Sequence, residues 1–149
     1  MSTFILITDY GDAIKDNILD DIVETDTDLI DKAENKAIAL MKGYLNARYD
    51  VDAIFSQTGD DRNPVILMYA VDIALYLLHR RISWRDVPAW RKDRYAEAKE
   101  WLTKVNAQEI NDPTLPKVTG DITRDFIRYG SNRKRNNHLD EAVSDEDEE

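Results

Sequence analysis

Two histidines and no cysteine leave this chain few groups for chemistry. His79 stands seven residues after Asp72 in VILMYAVDIALYLLHR, so on a helix the carboxylate and the imidazole share a face, with Tyr76 between them. Those are the parts of an acid–base pair. A rise of about 1.5 Å per residue, however, separates them by roughly 10 Å along the axis, too far for a direct hydrogen bond. The spacing suits an Asp72–Tyr76–His79 polar ladder, satisfied in a core or a subunit interface, better than a catalytic pair. The acids Asp20, Asp21, Glu24, Asp26, Asp28 and Asp31 offer many carboxylates. They have neither the glycine turn nor the twelve-residue spacing of a calcium loop, and they read as a solvated acidic face. The chain also has no glycine-rich phosphate loop, and no nucleophile elbow surrounds Ser56, Ser83 or Ser131. The expectation is a non-enzyme without cofactor or metal.

Two basic stretches remain. Arg80, Arg81, Arg85, Arg91, Lys92 and Arg94 could contact phosphate, but in a chain of net charge -10 they fit ion pairs with acidic surface of the same or an adjacent subunit better. Asp72, Tyr76, His79, Arg80, Arg81 and Arg85 are therefore the candidate inter-subunit contacts. Trp84, Trp90, Tyr95 and Trp101 could form a ligand cage, but at helical spacing they read as core and interface anchors. The second stretch, FIRYGSNRKRNNH, covers residues 126–138 and is followed by SDEDEE at 144–149. Phe126, Ile127 and Tyr129 are apolar anchors, Arg128 lies among them, and Gly130 allows a turn. Arg133, Lys134 and Arg135 can pair with carboxylates. With acid directly after the basic block, the segment reads as an arm that becomes ordered by docking on a protein. Nucleic-acid binding through the same arm is the competing reading.

Helices must position these residues. From Asp28 to Tyr49, Leu29, Ile30, Ala33, Ala37, Leu40, Met41, Tyr44 and Leu45 recur at three and four, which predicts a helix with one buried face. Thr8 with Asp9 and Asp12 predicts a short capped turn before it, and DNILDDIVE a second short helix. DVDAIFSQTGDDRN reads as a loop pinned by Ile54 and Phe55. Asn63-Pro64 predicts the start of a helix to residue 82 that is apolar on nearly every side, and a neighbouring subunit is expected to cover part of it. Pro88 opens a last helix to Ala107, with Arg94, Ala98, Trp101 and Val105 as its inward stripe, widened by Trp90, Tyr95 and Leu102.

A chain of 149 residues with 42% apolar composition fills one core. The fold expected is all-α: a small helical bundle over 1–112, with a C-terminal extension over 113–149 that carries the docking arm and a disordered acidic end. Residues 1–62 carry net -8, 63–112 net +1 and 113–149 net -3, so different surfaces face different neighbours. The N-terminus has no secretory pattern, and no stretch reaches the roughly 20 apolar residues of a membrane span. The protein is expected in a cytoplasm, away from membranes.

Three segments in order, IDKAENKAIALMKGYLNARYDV, NPVILMYAVDIALYLLHRR and VPAWRKDRYAEAKEWLTKVNAQEI, resemble the Mu-type head-tail connector family of tailed bacteriophages. The likeness rests on YLNARY, DIALYLLHRR and RYAEAKEWL and covers about residues 27–112. FIRYGSNRKRNNH resembles the C-terminal arm of some members, whereas the acidic DNILDDIVETDTD departs from the pattern. The resemblance implies a virion protein made in the host cytoplasm and resident in the neck at the portal vertex. It would be a homo-oligomeric ring, usually of twelve copies, beneath the portal protein. Such a ring extends the DNA channel, passes DNA as cargo and offers a platform to the next neck or tail protein. No catalytic residue carries over.

Overall fold

The central helix starts where a capping amide meets a proline. In the computed structural model, which describes residues 3–11, 13–15, 18–19, 27–82 and 87–118, the Asn63 side-chain oxygen accepts from the amides of Val65 and Ile66 at 3.0 and 3.1 Å. Pro64 fills the first helical position, where a missing donor costs nothing. Among the described residues four complete α-helices follow one another: α1 Thr27–Leu45, α2 Val51–Phe55, α3 Pro64–Ile82 and α4 Ala89–Asn106. Single 3-10 turns lie at Ile7–Tyr10 and Gly59–Asp61. The fold is all-α, and among the described residues the only extended pairing is an isolated antiparallel bridge between Tyr49 and Lys117.

α3 packs against both α1 and α4, which also touch each other. Its residues 69–75 are buried without interruption, so the middle of this all-round apolar helix is enclosed by its own chain. The buried apolar residues of α1 are Ile30, Ala33, Ala37, Met41 and Leu45, at the three-four period, with Glu34 buried beside them and accepting from the Tyr10 hydroxyl. α1 stops at Leu45, short of the expected Tyr49. Asp50 is the reason: its carboxylate caps α2 by accepting from the Ala53 amide at 3.0 Å, which needs extended backbone at Asp50. What reads as a loop therefore contains one helical turn, and that turn buries Ile54 and Phe55 as expected.

The N-terminal residues are part of this unit. Phe4 lies edge-on to Phe55 with ring centroids 4.9 Å apart, and Ile5, Tyr10, Ile14 and Leu19 are buried. Thr8 does not cap the first turn. Asp9 does, accepting from the Leu6 amide at 2.6 Å while Arg62 grips both its oxygens and the Phe4 carbonyl. Of the second short helix, Ile18 and Leu19 are helical; the rest of DNILDDIVE, apart from these two, lies outside the described residues.

At the other end, Leu115 is buried in the same core, Asp50 donates its amide to Pro116, and Val118 donates to Arg48. The compact unit accordingly runs to Thr119. Arg48 ties this return to α4 by donating to the carbonyls of Val105 and Ile110 at 3.2 and 3.1 Å.

Candidate interaction surfaces

Asp72 is drawn away from its helix neighbours by a cation on α4. Arg91 is 1% exposed and donates to the Asp72 carboxylate at 3.2 Å and to the Ala13 carbonyl at 3.2 Å, so one guanidinium joins α3, α4 and the N-terminal segment. Burial raises the Asp72 carboxyl above the usual carboxylate range, against the pull of Arg91 and Arg94, and the same burial lowers Arg91. The Arg91 Nε finds no acceptor among the described residues.

The Asp72–Tyr76–His79 ladder does not form. Tyr76 stacks on Tyr95 of α4 with centroids 4.0 Å apart and planes 10° from parallel. The His79 ring bonds through Nδ1 to the Leu75 carbonyl, one turn back at 2.8 Å. Asp72 and His79 are each satisfied by another partner, and Tyr76 is held by its ring. No acid–base pair results, and among the described residues no group of three His, Cys, Asp or Glu side chains could hold a metal ion.

The stripe of α4 is also displaced from its expected position. Arg91, Ala98, Leu102 and Val105 are buried, whereas Arg94 is exposed. Trp101 is half-buried against Tyr69, with centroids 5.1 Å apart, and Trp90 is 53% exposed over the Arg91 guanidinium. An apolar count could not have found Arg91, because its partner is 19 residues away on another helix. The only sequence signal is its helical register with Ala98, Leu102 and Val105.

Two grooves mark the surface. The first, about 440 Å³, lies between α3 and α4 and has exposed Met68 and Trp90 on its walls, with Asp72 and Arg91 beneath. Val65, one turn before Met68, is exposed as well. The second, about 530 Å³, lies between α1 and the end of α3. Leu29, Ala33, Leu77 and Leu78 form its floor, and Lys32, Lys36, Arg80 and Arg81 form its rim. Of the other expected contacts, Arg85 and Trp84 lie outside the described residues, as does the whole arm Phe126, Ile127, Arg128, Tyr129, Gly130, Arg133, Lys134 and Arg135. Asp20, Asp21, Glu24 and Asp26 do too.

Over residues 5–116 the chain matches the family model of bacteriophage Mu Gp36. The chain belongs to this family. No curated protein and no solved structure matches it. The matched span takes in all four helices and stops within the return segment at Pro116, so the Gp36-family sequence and the helical unit nearly coincide. Membership makes this a bacteriophage protein of the Mu type, in keeping with a structural or morphogenetic role. Among the described residues no helix of this Gp36-family chain is long and apolar enough to cross a membrane.

Proposed function

We propose that this Gp36-family protein is a head-tail connector: a non-catalytic adaptor that forms a ring, of about twelve copies by resemblance, beneath the portal. There it extends the DNA channel and links the capsid to the next neck or tail protein. The observation that carries the reading is the apolar wall left open where α3 meets α4. Met68 and Trp90 are 42% and 53% exposed around a groove, with Val65 exposed one turn before Met68. Large apolar groups gathered at a groove belong to an interface. Family membership supplies the phage context. A groove that accepts a different surface of the next copy makes a heterologous contact, and such contacts close into rings when the rotation fits. The arm from Phe126 to Arg135 docks on the adjacent subunit or on the portal, and DNA passes only as cargo.

Native mass spectrometry and negative-stain imaging, with and without portal protein, test this. Closed rings or portal-bound rings are expected, and Met68→Asp should prevent them without unfolding the monomer. Monomers under every condition reject the proposal. Salt-sensitive DNA binding that disappears when Arg133, Lys134 and Arg135 are neutralised would favour the nucleic-acid reading instead.

A further inference from the structure

The second groove has an unusual chemistry for a chain this acidic. Lys32 and Lys36 sit one turn apart on α1, Arg80 and Arg81 end α3, and all four are exposed. None has an ion-pair partner among the described residues. Between them lie Leu29 and Leu77, half-buried, over the buried Ala33 and Leu78. The occupant that fits must bring several carboxylates and also apolar side chains. A nucleic-acid backbone supplies only the anions, and it would leave Leu29 and Leu77 without partners.

The chain itself carries a segment of the required composition. Residues 139–149, LDEAVSDEDEE, hold seven acids and no base, and Leu139, Ala142 and Val143 recur at three and four, the spacing of one helical face. We propose that this segment of one copy docks in the groove of the next, its apolar triplet over Leu29, Ala33, Leu77 and Leu78, its acids paired with Lys32, Lys36, Arg80 and Arg81. The proposal rests on the oligomeric reading given above and names one of its contacts. Reach permits it. The 20 residues from 119 to 138 span at most roughly 70 Å, against roughly 28 Å for a 19-residue helix such as α3. Acid on one copy and cation on the next is a head-to-tail contact, which repeats around a ring.

Zero-length carbodiimide coupling of the full chain tests this, because it joins a lysine to a carboxylate only where the two touch. Equal amounts of protein carrying light and heavy nitrogen are mixed, assembled, coupled and digested. Links from Lys32 or Lys36 to acids of 139–149 are expected in mixed-isotope pairs, with yields that fall several-fold in Arg80→Glu/Arg81→Glu and in Leu139→Ser/Val143→Ser. Links confined to one isotope place the contact within a chain and overturn the proposal. So does their absence, or a yield that ignores the serine variants, which would leave charge alone at work. Native mass spectrometry of the same mixture separates the two readings. Rings without these links reject the groove contact and spare the connector, whereas links without rings do the reverse.

Discussion

Arg91 and Asp72 form a buried ion pair, and removing one member of such a pair is costly because the other charge stays behind in a poor solvent. Arg91→Ala should destabilise the protein by about 3–5 kcal/mol at pH 7, measured by urea unfolding. Asp72→Leu/Arg91→Met, which removes both charges and keeps volume, should recover most of that loss. The pH dependence has a definite sign. Burial raises the Asp72 carboxyl above its ordinary value of 3.8, so its contribution to stability is fully present below that value and is lost as pH rises through the raised one. Arg91→Ala removes the cation that restrains this rise, so its deficit should shrink as pH falls toward 4 and widen toward neutrality. A deficit that is flat with pH would show that lost packing, not the stranded carboxylate, sets the cost. At the residue scale the sequence was a fair guide to apolar burial and a poor one to polar partners. Asp72, Tyr76 and His79 share a helix face as read, yet their partners are Arg91, Tyr95 and the Leu75 carbonyl, and two of the three come from another helix.

Capping governs where the elements begin and end. Asn63 caps α3 and also donates to the Thr114 hydroxyl at 2.7 Å, linking the helix start to the return segment. Asn63→Ala should lower stability by about 1 kcal/mol, with faster amide exchange at Val65 and Ile66. Past α4, Gln108 occupies left-handed backbone at φ 68° while the Glu109 and Ile110 amides close onto the Lys104 carbonyl. A glycine suits that position better, so Gln108→Gly should raise stability by about 0.5–1 kcal/mol, read as an increase in Tm. The spans of α3 and α4 were legible because Asn63-Pro64 and Pro88 punctuate them. The end of α1 was not, because the apolar period continues through Tyr49 while Asp50 takes up a cap, its own amide held by the Pro116 carbonyl of the return segment.

Taken whole, the molecule is one helical unit to Thr119, with a further stretch of chain beyond it. Every described core residue lies at or before Leu115. A chain lacking 121–149 should therefore keep its helical circular dichroism and its Tm within about 2 °C, a change of well under 1 kcal/mol. On the connector reading it should also fail to enter the particle. Normal incorporation of the shortened chain would remove the arm and the acidic end from the account of assembly. The exposed wall at Met68 and Trp90 belongs to this scale too, since no single helix produces it. It arises because α1, α4 and the N-terminal segment cover the middle of α3 and leave Val65 and Met68 of its first turns open.

The sequence by itself determined the helical class, the starts of α3 and α4, the buried face of α1 and the kinship of the three helical segments. Periodicity, proline and capping chemistry act within a few residues and are written along the chain. Tertiary structure decided everything that depends on a partner distant in sequence. Arg91 replaces Arg94 in the core because Asp72 is there to receive it, Arg62 ties Phe4 and Asp9 to the bundle, and Arg48 joins the return at Val118 to α4. Lys32, Lys36, Arg80 and Arg81 converge because α1 and α3 lie side by side. The physical reason is the range of the forces. Backbone preference is local, whereas a buried charge is settled by whichever counter-charge the packing brings within reach.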